Sequence, residues 1–240
     1  MLLHAWPGQA QLPALDLSEL RSAIAAADPG RFLAVVTGRE IDDALQQVGA
    51  GIPMALEQRP REAEPVAFSV VNRLMRRGGV GDGLLAEDLL ARLRGDPLAG
   101  RVLPVDLEML GTMLEGDPGL SPGGYLDLHT GAVYDDGFTD PMTVGQDAAI
   151  EVEEEPERWL RLEGTGSGKG WEDMAAFAAR QHDLALRERL ERAIEGRGAF
   201  GRFRDIVQGE DLGGQWHAFT ADRQIGRSRE FLAENGIRVG

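Results

Sequence analysis

Three stretches of the chain bring chemistry-bearing side chains together. Along Tyr125–Asp140, Asp127, His129, Asp135, Asp136 and Asp140 crowd around a glycine-containing turn. In a hairpin, strand alternation would set Asp127 and His129 on one face, where a hydrolase or a hard-metal site could use them. Asp127, His129 and Asp135 are therefore the candidate catalytic residues. HxH, HExxH and EF-hand spacings are absent and the four histidines are scattered, so no metal site is expected. Polar alternation is equally what a half-exposed hairpin needs.

The second stretch is EGRGAFGRFRD, residues 195–205, followed by Trp216-His-Ala-Phe219. Gly198 would open a short helix whose free amides carry partial positive charge. Arg197, Arg202 and Arg204 lie beside that start, and guanidinium groups suit carboxylates and phosphates. Arg197, Gly198, Arg202 and Arg204 thus form the candidate anion-binding set. The structural alternative is a corner between helices. Gly196 and Gly198 would permit a tight turn, Phe200 and Phe203 would be core, and the arginines would pair with Glu191, Glu195 and Asp205. Trp216 and Phe219 read as core anchors ahead of a last helix.

The third stretch, Gly164-Thr-Gly-Ser-Gly-Lys169-Gly170, fails as a nucleotide loop. Three residues rather than four separate Gly164 from the Gly-Lys pair, and Gly170 stands where Ser or Thr would meet magnesium. Its backbone amides could still hold an anion, but its Gly/Ser content reads first as a flexible connector. No serine sits in an elbow motif, so nucleophilic hydrolysis has no support. No cofactor is called for.

The elements that must position these residues change character along the chain. Residues 1–103 read as a helical region. Leu17, Leu20, Ile24 and Ala25 share a helical face stopped by Asp28-Pro-Gly30, while Phe32–Val36 fits a strand or a helix equally. Ile41, Ala44 and Leu45 mark a helix ending near Gly49–Gly51. After a loop at Pro60–Pro65, Phe68, Val71, Leu74 and Met75 line a helix, and beyond Gly78-Gly79 Leu85, Leu89 and Leu93 line the next. That pair carries Arg73, Arg76, Arg77, Arg92 and Arg94, but antiparallel helix pairs are far commoner than DNA readers.

Residues 104–240 read as an α+β domain: a small antiparallel sheet packed by several helices. A helix over Leu107–Leu114 closes at Gly116–Gly119. Tyr125–Leu128 and Ala132–Tyr134 form a hairpin, with Ile150–Val152 and Trp159–Leu162 as further strands. Trp171, Met174, Phe177 and Ala178 share a helix face. Asp183 caps a helix along Leu186, Leu190 and Ile194, Ala199–Val207 forms another, and Thr220 caps a last one closing at Asn235-Gly236. Gly226 within that last helix signals close backbone packing, beneath Trp216 and Phe219.

Composition narrows the function. The net charge of −15 is concentrated: residues 104–163 hold 15 acids and 2 bases. Such a field repels phosphate backbones, so nucleic-acid binding is disfavoured there. An acidic face of this kind serves solubility, or mimics nucleic acid toward a basic protein. The 24 Arg against a single Lys, Lys169, are what high-GC coding produces and carry no functional weight. Cysteine is absent, which excludes disulfides and thiolate chemistry and fits a reducing cytoplasm. No apolar run approaches the roughly 18 residues of a membrane span, and the start lacks the basic and apolar regions of a leader.

GYLDLHTGAVYDD at 124–136, WLRL at 159–162, WEDMAAFA at 171–178, AIEGRGAFGRFRD at 193–205, WHAF at 216–219 and FLAENGI at 231–237 together resemble the bacterial uncharacterised protein family 0158. The resemblance spans about the last 130 residues and implies no activity, cofactor or site residue. The expectation is a cytoplasmic, non-catalytic binding or regulatory protein that recognises a protein partner or a small anion, its oligomeric state open. The alternatives are a hydrolase or transferase acting on a phosphorylated small molecule, and an acidic nucleic-acid mimic.

Overall fold

The structure is a computed structural model describing residues 12–116, 123–164, 166 and 168–240. The expectations for a leader, for the stop after Gly116 and for the 164–170 loop fall wholly or partly outside these residues. Five helices come first: α1 (Leu17–Ala25), α2 (Pro29–Val36), α3 (Leu45–Gln58), α4 (Pro60–Arg77) and α5 (Asp82–Arg94). Asp28 both stops α1 and starts α2, accepting from the Arg31 amide while Pro29 takes the first helical position. Phe32–Val36 is therefore helical, with Phe32 fully buried.

The expected end of α3 near Gly49–Gly51 is wrong, since the helix continues to Gln58. Those glycines are contact points. A Cβ on Gly49 would lie 2.4 Å from Leu85 Cδ2, and one on Gly51 2.4 Å from Phe32 Cε2. Close packing there outweighs the propensity cost of about 1 kcal/mol per glycine. α4 also starts earlier than expected, at Pro60. Ala63, Ala67, Val70, Val71 and Leu74 form its buried face, whereas Phe68 and Met75 point outward.

The remaining elements are β1 (Arg101–Leu103), α6 (Leu107–Leu114), β2 (Gly124–Asp127), β3 (Val133–Asp135), α7 (Pro141–Val144), β4 (Trp159–Leu162), α8 (Gly168–Ala179), α9 (Leu184–Ala193), α10 (Ala199–Gly209), α11 (Gly213–Glu234) and β5 (Ile237–Val239). The fold is α+β. The antiparallel sheet has the order β3-β2-β4, with Leu126 opposite Val133 and Leu160. A separate parallel pair joins β1 to β5. Ile150–Val152 is not a strand: the Ile150 amide donates to Phe138 O, folding the segment back on the turn after β3. Thr220 lies inside α11 rather than capping it, its hydroxyl donating to Trp216 O. Met174, Phe177 and Ala178 are buried as expected, but Trp171 stands half exposed.

Three apolar clusters form the interior: one among α1–α5, one around α6 and the sheet, and one among α8–α10. α11 contributes Ile225 and Leu232 to the second and Phe219 to the third. It also meets α3 and α5 of the first region. Gly226 makes that approach possible, since a Cβ there would sit 2.1 Å from Val80 O. The close packing read from Gly226 is thus against Val80–Gly81, not beneath Trp216 and Phe219. No helix among the described residues is long and apolar enough to cross a membrane.

Candidate anion-binding site

The hairpin acids shape backbone. Asp127 is buried and accepts from the His129 amide at 2.8 Å, Thr130 Oγ1 at 2.9 Å, and Arg158 Nε and Nη2 at 3.1 and 2.8 Å. The Arg158 guanidinium and these donors hold its carboxyl well below the usual carboxylate range, against the opposing pull of burial. His129 lies in the turn beyond β2 rather than on its face, so strand alternation does not apply to it. Asp135 accepts from the Gly137 amide at 2.8 Å and caps the turn after β3. Asp136 pairs with Arg161, and Asp140 caps α7. No acidic or histidine cluster suited to a metal occurs among the described residues.

The 195–205 segment is a helix corner. Arg202 donates to the carbonyls of Ala193 at 3.2 Å, Arg197 at 2.5 Å and Glu195, closing the end of α9. The arginine–acid pairing expected here is largely replaced: Glu191 pairs with Arg187, and Arg204 reaches only Asp205, at 4.0 Å. Arg197 is exposed and makes no side-chain pair among the described residues. Gly198 precedes α10 with a φ of 77°, a left-handed turn suited to glycine. Phe203 is buried, but Phe200 is 52% exposed, lying over Gly170 rather than in the core.

Arginines converge elsewhere. A cavity of about 520 Å³ opens between the α4–α5 turn on one side and α8 and α11 on the other. Arg73, Arg76 and Arg77 line the first wall, and Arg180 and Arg223 the second, over a floor that includes Val80, Ala176, Ala179 and Phe219. Arg180 and Arg223 both lie against the Phe219 ring, at 5.0 and 5.6 Å from its centroid.

Carboxylates fix these guanidinium groups without consuming all their donors. Arg73 Nη1 meets Asp42 at 2.6 Å, Arg180 Nη2 meets Asp43 at 2.5 Å, and Arg223 Nε meets Asp173 at 2.6 Å. The other nitrogens of these three groups have no hydrogen-bond partner among the described residues, and Arg76 has no ion pair there at all. A guanidinium held by one edge keeps a second edge for a ligand and loses little freedom on binding.

Arg77 differs, being saturated and structural. It grips Asp82 through Nε at 2.8 Å and Nη2 at 2.6 Å, and its Nη1 meets Asp222 Oδ2 at 2.7 Å and Asp42 O at 2.8 Å. The Gln46 amide donates to Asp222 at 2.6 Å, and Gln46 Nε2 to Asp82 at 3.0 Å. Burial pushes the Asp222 carboxyl up to about 6 despite these partners. Asp82 is held below its ordinary value, because Arg77, Gln46 and the Gly79 amide together overcome its burial.

The α4 arginines are visible in the sequence as part of a helix pair. Their partners Arg180 and Arg223 are more than a hundred positions away, and nothing local connects them. The arginine-lined cavity contains neither Arg197 nor any hairpin acid, and the two cavities beside the sheet contain no residue of 195–205. No family model, no curated protein and no solved structure matches the chain.

Proposed function

We propose that this chain is a cytoplasmic binding protein for a small organic anion, held between the helical region and the α8–α11 face. The observation that carries the reading is the set of four guanidinium groups, Arg73, Arg76, Arg180 and Arg223, with free donors around one cavity of about 520 Å³. That volume suits a small metabolite, and the apolar floor suits a ligand with a hydrocarbon or ring portion beside its carboxylate or phosphate. The carboxylates behind Arg73, Arg180 and Arg223 reduce the mutual repulsion of the four cations. Membership of the uncharacterised family 0158, which the motifs along residues 124–237 suggest, adds no ligand.

Catalysis is not part of this reading. Asp222, the buried carboxyl on the cavity wall, has both oxygens occupied by Arg77 and the Gln46 amide, and none of the hairpin acids lines this cavity. A thermal-shift panel of inorganic phosphate, citrate and AMP tests the proposal. At least one should raise the melting temperature of the wild-type chain, and Arg76→Ala should lose most of that rise while melting normally without ligand. Equal responses from the two proteins would remove the cavity as the site.

A further inference from the structure

Two arginines, Arg77 and Arg229, serve the joint between the helical region and α11, and their surroundings differ. Arg77 has two carboxylates. Arg229, only 6% exposed, donates Nε to the neutral Gln46 Oε1 at 2.9 Å and forms no ion pair among the described residues. Burial pulls this guanidinium down to about 10, outweighing the more distant fields of Asp88 and Asp222.

Further cations crowd it. Arg238 of β5 has a buried Nη1 without a hydrogen-bond partner, and its nearest carboxylate oxygen there is Asp88 Oδ1 at 3.4 Å. Arg92 adds a third cation, anchored by Nη2 to Val239 O at 3.3 Å. Against them stand Asp88, whose carboxyl burial pushes upward, Asp222, whose field reaches Arg229 without an ion pair, and Glu87, which meets Arg238 from solvent. Arg229, Arg238 and Asp88 border a crevice of about 10 Å³, closed otherwise by apolar side chains such as Leu232 and Ile237. That is room for one atom-sized guest.

A water molecule in this crevice would supply lone pairs but no charge. A monatomic anion supplies both, and a desolvated guanidinium is strongly disfavoured without charge compensation. We infer that the crevice binds a single chloride-sized anion bridging Arg229 and Arg238. The ion fastens β5 and α11 to α5, and through β5 it secures the parallel pairing with β1. The site is separate from the arginine-lined cavity and independent of its ligand.

The test compares melting of the full chain in sodium chloride and in sodium gluconate at equal ionic strength, with a bromide-soaked crystal alongside. Chloride should raise the wild-type Tm saturably, by about 2–4 °C, the scale of a modest ligand linkage in a chain of this size. Arg76→Ala should keep that rise and Arg229→Met should lose it. The crystal should show an anomalous peak between Arg229 and Arg238. Equal melting of the wild type in the two salts, or a water without anomalous signal in the crevice, would overturn the inference whether or not Arg229→Met folds.

Discussion

The corner at 195–205 and the cavity beneath the α4–α5 turn are both rich in arginine, and only one has donors converging on open space. At the corner, Arg202 turns inward onto three carbonyls of its own chain neighbourhood, while Arg197 and Arg204 extend into solvent. At the cavity, arginines from two distant parts of the chain line a shared volume, and Arg73, Arg180 and Arg223 are each steadied by a carboxylate. Density of a residue type along the sequence marks local capping. Convergence from distant segments marks a site.

The comparison breaks most visibly at Arg77, on which the cavity wall depends. Arg77→Ala leaves Asp82 and Asp222 buried without their counter-ion, and should cost about 3–5 kcal/mol of stability in urea unfolding. A loss near zero would mean that the joint is not held by this network.

The cavity wall and the β2–β3 hairpin should also differ in their pH signatures. Asp222 has a folded pKa of about 6 against an ordinary 3.8, so its contribution is fullest below 3.8 and declines as pH rises toward 6. Asp222→Asn should abolish that decline. Asp127 is shifted the other way, so its contribution is present above 3.8 and lost as pH falls below it. Asp127→Asn should flatten only that acid limb. Denaturant midpoints from about pH 2 to 7 would show the Asp222 slope and the upper part of the Asp127 slope.

Gly226→Ala forces a methyl group against Val80 O and should destabilise by about 1–3 kcal/mol, despite the better helix propensity of alanine. A stabilised variant would show that α11 stands clear of the α4–α5 turn. Arg202→Met should have the smallest effect, about 1 kcal/mol, because water can replace its bonds to exposed carbonyls. It should leave any anion response unchanged.

Local features were legible in the sequence wherever a single segment decides its own structure. The spacing of Leu17, Leu20 and Ile24, the Asp183 cap and the turn at Gly131 between β2 and β3 all stand as read. Local pattern fails where a remote neighbour decides. Gly49 and Gly51 look like breakers until Leu85 and Phe32 press against them. Phe200 and Phe203 are equivalent in sequence, and only the placement of α8 and α11 makes one interior and the other exposed. The β1–β5 pair joins residues 101–103 to 237–239, which no local periodicity encodes. The cavity belongs to the same class, since Arg76 and Arg223 share it only through the packing of α11 on α5.

Isothermal titration with AMP and with inorganic phosphate tests the central claim most directly. It should be run on the wild type, on Arg76→Ala/Arg180→Met and on Arg197→Ala. Binding heat should appear for at least one probe in the wild type and persist in Arg197→Ala, and affinity should fall at least about tenfold in the double variant. Heat that survives the double variant but disappears with Arg197→Ala would contradict the account and return the site to the 195–205 corner.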